Sequence, residues 1–161
     1  MGMKKVKTAF SLIALLALGC SQTVFAEERY PAGYHVYDVQ EDEASDTWYG
    51  IARGNYLQAG IAKLKEGKTG YAICSGTTFA HKDCDQLYVR IYLDQSDNGT
   101  SGWWTVDYWT GRAYNESVAT TDSGSYKITR DKYYSVKGVH SVFQGDIVET
   151  TTTCTDALYF D

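Results

Sequence analysis

The sequence predicts an all-β protein: an antiparallel two-sheet sandwich, immunoglobulin-like or related, with a barrel as the alternative closure. Three observations carry that expectation. Turn-forming residues recur every ten to fifteen positions, and the segments between them alternate apolar and polar side chains. The chain holds 14 Tyr and 4 Trp against one Pro and 2 Met, a composition suited to pleated, half-buried surfaces. Helical periodicity is weak throughout the chain after residue 26.

Taken in order, strands are predicted at residues 33–39, 47–52, 57–64, 71–75, 86–93, 102–110, 116–120, 125–130, 133–143 and 147–153, with a short last one at 157–160. Gln40-Glu41-Asp42-Glu43, after the first strand, reads as a solvated acidic loop, because it lacks the glycine-punctuated ligand spacing of a calcium loop. The third strand has a helical rival, since Leu57, Ile61 and Leu64 fall at spacings of four and three. Gly60 inside it and the turn Glu66-Gly67-Lys68-Thr69-Gly70 after it favour a strand and hairpin. Gly76 to His81 is predicted to turn about Phe79, which would set Cys74 and Cys84 face to face across adjacent strands. A disulfide there would contribute roughly 2–3 kcal/mol on a chain-entropy argument. Pairing of Cys154 with either one is the competing connectivity. Thr150-Thr151-Thr152-Thr153, followed by Leu158, Tyr159 and Phe160, suits a packed strand.

One hairpin follows from its residues. Asn98-Gly99 is the preferred pair for a tight type I′ turn. A turn centred there sets Leu93 opposite Trp104, Ile91 opposite Val106 and Val89 opposite Tyr108 as an apolar face. The other face then pairs Tyr92 with Thr105, Arg90 with Asp107 and Tyr88 with Trp109.

Residues 1–26 read as a signal peptide. Lys4, Lys5 and Lys7 form a basic start, an apolar run covers 9–18, and Val24-Phe25-Ala26 supplies a cleavage site. The apolar run is shorter than the roughly 20 residues of a membrane-spanning helix, and no other long apolar segment follows. Residues 27–161 form a single domain, expected to be secreted. Ala17-Leu18-Gly19-Cys20 offers an alternative, an imperfect lipobox that would anchor the chain to the membrane through Cys20. In an oxidising compartment, disulfides are the default for the cysteines left after cleavage.

Charge excludes one class of partner. Residues 27–161 carry 12 Lys and Arg against 20 Asp and Glu, a formal charge of −8, and such a surface repels nucleic acid. Catalytic patterns are missing too. The sequence has no His-Glu-x-x-His helix, no Gly-x-Ser-x-Gly elbow and no phosphate-cradling glycine loop. No catalytic residue, metal ligand or cofactor is therefore assigned. His35, His81 and His140 lie far apart, and none has a ligand-like neighbour. His140 shares parity with Tyr134, Val136 and Val142, so it reads as a core histidine bonded to a backbone group. Tyr88, Tyr92, Trp103 and Trp109 form the candidate binding face, because flat rings on a rigid sheet grip sugars or a protein partner. The competing reading has another strand, or the loop 112–122, covering them.

Two stretches resemble a known group. Asp131 to Val142, with Tyr133-Tyr134, Val136, Gly138 and His140, followed by Gly145 and Glu149-Thr150-Thr151, is one. Gly70 through Cys74-Ser75-Gly76-Thr77-Thr78 to Leu87–Leu93, with Trp104 beyond, is the other. Together they resemble small secreted proteins of Gram-positive bacteria that carry a domain of unknown function. The resemblance covers most of residues 55–155 and implies export and an all-β fold. It transfers no catalytic residue, and the cysteines depart from its pattern. The expected function is a non-enzymatic surface module for a protein or glycan. The alternatives are a secreted antagonistic toxin and a hydrolase built on scattered carboxylates.

Overall fold

Period-two burial runs through the chain and decides its architecture. Leu87, Val89, Ile91 and Leu93 are fully buried, while Tyr88, Arg90 and Tyr92 between them stay half-exposed. The computed structural model describes residues 33–50 and 55–161, so the leader, Cys20 and the end of the strand expected at 47–52 lie outside the described residues. The first sheet contains β1 (Gly33–Val39), β2 (Glu43–Gly50), β3 (Leu57–Glu66), β4 (Tyr71–Cys84) and β7 (Glu116–Asp122) in the order β1-β2-β3-β4-β7, with β8 (Tyr126–Lys127) beside β4. The second contains β5 (Gln86–Ser96), β6 (Trp104–Ala113), β9 (Lys132–Gln144) and β10 (Ile147–Cys154) in the order β10-β9-β5-β6, with β11 (Leu158–Phe160) beside β9. Every pairing is antiparallel. Neither sheet closes on itself, so the fold is a sandwich and not a barrel. No helix among the described residues is long and apolar enough to cross a membrane.

Leu64, Ala62, Cys74 and Ala72 of the first sheet meet Leu87, Val89, Ile91, Leu93 and Val136 of the second. Tyr134 and Phe160 close one end, ring edge to ring face at 5.4 Å. The Tyr134 hydroxyl donates to Gln95 Oε1 at 2.7 Å and accepts from the Thr129 N–H at 3.0 Å, so this large ring is buried without an orphaned polar atom.

The segment Gly76–His81 does not turn. β4 runs unbroken for 14 residues, paired to β3 on one side and β7 on the other. Cys74 and Cys84 therefore lie ten residues apart along one strand, on the order of 30 Å, and all three described cysteines are free. Gly76 is explained by packing: a Cβ there would collide with the Ile91 side chain from the facing sheet. Likewise, residues 57–66 form β3 and not a helix, and a Cβ on Gly60 would stand 2.5 Å from Cδ2 of His140.

The β5–β6 hairpin forms, in a different register. Gly99 has φ +72°, but residues 97–103 make a wider loop in place of the tight turn. Asn98 Oδ1 accepts the N–H groups of Thr100 and Ser101, both at 2.9 Å, and Ser96 Oγ donates to the Ser101 carbonyl at 2.6 Å. Those local bonds shift the pairing by three residues, so Leu93 faces Asp107, Ile91 faces Trp109 and Tyr92 faces Tyr108. An irregularity between Leu93 and Asp94 then sets Gln95 opposite Trp104. Ile91 is buried and Val106 packs against the core as expected, but Trp104 is 45% exposed at the first position of β6.

His140 is the polar centre of the interior. Thr78 Oγ1 donates to the Tyr88 carbonyl at 2.9 Å, which commits its only proton. The 3.0 Å contact to His140 Nδ1 must then be Nδ1–H donating to Thr78. That leaves Nε2 as the acceptor, and Thr153 Oγ1 donates to it at 2.9 Å. Burial holds the imidazole down at about 4 from its ordinary 6.5, so it is neutral in the fold. The ring lies between Gly60 and Gly138, with a Cβ on the latter falling 2.6 Å from Nε2.

Two outcomes are expected. Gly60→Ala forces the ring aside and lowers stability by roughly 1–3 kcal/mol in urea unfolding. Because the folded pKa of His140 is depressed, its contribution is complete above pH 6.5 and declines as pH falls through about 4. Stability measured across that window should drop in the native protein and stay flatter in His140→Gln.

Candidate functional site

The register of the second sheet assembles its outer face row by row. Cys154, Lys137, Tyr92 and Tyr108 form one row across β10, β9, β5 and β6. Thr152, Val139, Arg90 and Thr110 form the next, and Thr150, Ser141, Tyr88 and Arg112 the third. With strands about 4.8 Å apart, each row is roughly 14 Å wide. Arg90 occupies the centre. Its Nε donates to Thr110 Oγ1 at 3.0 Å, and its guanidinium carbon lies 5.1 Å from the Tyr108 ring centre and 5.6 Å from that of Tyr88. The bond with Tyr92 holds the Arg90 guanidinium above even its usual basic range. Arg112 lies 5.2 Å from the Tyr88 ring centre, and the Tyr92 and Tyr108 rings are 6.2 Å apart at a 43° tilt.

Lys137 divides two shallow depressions. One, of about 350 Å³, is bounded by Tyr92, Val139, Thr152 and Cys154. The other, of about 210 Å³, is bounded by Trp103, Asp94, Ser135 and Asp156. Lys137 Nζ stands 2.6 Å from Oδ2 of Asp94, a buried carboxylate that also accepts the Thr105 hydroxyl at 2.6 Å. The Asp94 bond raises the lysine above its ordinary range.

Tyr88, Tyr92 and Trp103 of the expected face thus meet around Arg90 and Lys137. Trp109 does not join them. The three-residue register shift reverses the parity of β6, and Trp109 turns inward to pack edge-on against Tyr126, centroids 5.1 Å apart at 81°. Tyr108, 56% exposed, takes its place. Residues 116–122 become β7 of the opposite sheet, so the segment 112–122 is not a loop lying over the rings. Arg90 lies on the expected outward face but outside the candidate binding set, and Arg112 belongs to neither expectation. The alternation Tyr88-Arg90-Tyr92 already marks the first, but the second needs the true register.

Other chemically capable groups are engaged elsewhere. Asp46, fully buried, accepts His35 Nδ1 at 2.9 Å on both oxygens and the Cys154 N–H at 2.7 Å. Burial pushes its carboxyl up, and those bonds oppose the shift. His81 is exposed in β4. Among the described residues, no three His, Cys, Asp or Glu side chains converge in a way that could hold a metal ion.

The fold and this face define an open-edged β-sandwich domain with an aromatic and cationic platform. A family model described as a family of unknown function, DUF6147, matches residues 24–158, and the chain belongs to that family. No curated protein matches it. Membership extends the uncharacterised all-β domain implied by the resemblance over nearly the whole chain.

The thiols separate by environment. Burial pushes Cys74 up to about 12 and raises Cys84, whereas Cys154 is exposed beside Lys137. A maleimide reagent should label one thiol per native chain, at Cys154, and three of residues 27–161 after unfolding in denaturant. Labelling of Cys74 under native conditions would contradict the packing.

Proposed function

We propose that the chain is an exported, non-catalytic binding module that takes a glycan on the outer face of its second sheet. One observation carries this reading: Tyr88, Tyr92 and Tyr108 stand on a rigid four-stranded surface, open to solvent, with hydrogen-bonding Arg, Lys and Thr side chains between them. Sugar rings present apolar C–H faces bordered by hydroxyls. Such a surface offers flat rings for the former and donors and acceptors for the latter. The site is shallow, and both buried carboxylates, Asp46 and Asp94, are bonded to partners within the fold. That supports recognition over hydrolysis. The basic, apolar and small-residue leader supports export.

A glycan array and cell-wall pull-down with the exported protein test the proposal. Tyr108→Ala should weaken retention roughly tenfold with little change in Tm, as expected for one exposed aromatic contact. Tyr49→Ala, on β2 of the other sheet, should bind like the native protein. Absence of retention on every glycan and wall fraction would remove the proposal.

A further inference from the structure

The platform carries charge of the wrong sign for its protein. The chain as a whole has a formal charge of −5, yet the rows around Tyr88 and Tyr92 hold Arg90, Arg112 and Lys137. The three rows themselves hold no carboxylate. Of the two at the depression beside Lys137, Asp94 is buried and already neutralised by Lys137 at 2.6 Å, and Asp156 is exposed at the far rim from the arginines. Among the described residues, neither guanidinium has a carboxylate within 4 Å. Both rest on tyrosine rings, with Arg90 and Arg112 flanking the ring of Tyr88 at 5.6 and 5.2 Å. In the β5–β6 register Arg112 is the diagonal neighbour of Arg90, which spaces their backbones at about 7–8 Å. Two forked donors are therefore displayed side by side and separately, each over or beside a flat ring.

We infer that the ligand of this face is a uronate-bearing glycan, with sugar-ring carboxylates on Arg90 and Arg112 and pyranose faces on the tyrosines. The inference rests on the proposed glycan-binding role and narrows its chemistry. A guanidinium fork matches a carboxylate with two parallel N–H···O bonds. A uronic acid presents its carboxylate at the edge of the ring that stacks, so one sugar satisfies one arginine and one tyrosine together. A polyol phosphate supplies the anion but no ring face to stack, and a neutral sugar offers neither guanidinium a counter-charge. Displaying unpaired cations on an acidic protein also draws an anionic polymer locally while the remaining surface repels it.

The test uses the full exported chain with four immobilised probes: a polyuronate, the same polymer after reduction of its carboxylates, neutral dextran and poly(glycerol phosphate). The expected result is retention on the polyuronate that weakens as salt rises and falls at least tenfold after carboxylate reduction. Arg112→Gln should reproduce that loss at unchanged Tm, since Arg112 is exposed, and Arg112→Lys should restore only part of the binding. Equal retention on the reduced polymer or dextran would overturn the inference while leaving the glycan-binding role standing. Binding to poly(glycerol phosphate) without the polyuronate would overturn the uronate assignment. Failure on every glycan, here and on the array, would remove both.

Discussion

The pairing of β5 with β9 constrains everything else in the domain. It runs through eleven residue pairs, from Gln86 opposite Phe143 to Ser96 opposite Tyr133. A strand exposes alternate residues to opposite sides, so this one ladder assigns two surfaces at once. Val89 and Ile91 go inward with His140 and Gly138, while Tyr88, Arg90 and Tyr92 go outward with Ser141, Val139 and Lys137. A slip by one residue would bury Arg90 among aliphatic side chains and expose Ile91, at a cost of several kcal/mol for the unpaired guanidinium. The apolar interior thereby holds the outer display in register. The platform has no separate scaffold of its own.

Three buried polar side chains reinforce that arrangement through bonds to neighbouring strands. His140 receives a proton donor from one sheet's neighbour and offers one to the other, through Thr153 and Thr78. Asp94 ties the end of β5 to β9 and β6 through Lys137 and Thr105. Asp46 joins β2 to the last residue of β10. Each is costly to bury alone and specific once bonded; His140 and Asp46 thereby favour one mutual placement of the sheets over sliding alternatives, and Asp94 favours one register within the second sheet.

Much of this was legible in the chain because alternation is a local property. The strand at 33–39 and most of the others follow from period-two patterning and turn residues, whereas the second half of β4 was expected as a turn. Two features were not legible, for related reasons. Gly76 looks like a breaker when read along the chain, but it answers to Ile91, which approaches from the other sheet. Asn98-Gly99 signals a tight turn, yet the side chains of Ser96 and Asn98 capture the loop's own N–H groups and widen it. That local competition moved Trp109 inward and Trp104 to the rim. At the site, Tyr88 and Tyr92 could be read from β5 alone, whereas Tyr108 and Arg112 belong to the face only once the pairing is known.

The irregularity between Leu93 and Asp94 has a bearing on how such a domain changes over time. On one side of it, pairing is anchored by Ile91 with Trp109 and Tyr92 with Tyr108; on the other lie Gln95, Trp104 and the loop that carries Trp103. A residue gained or lost in that loop can be absorbed where the ladder is already offset, before it propagates to the tyrosines. The bulge thus acts as insulation, letting the tip beside the second depression diverge while the ring-and-guanidinium lattice keeps its spacing.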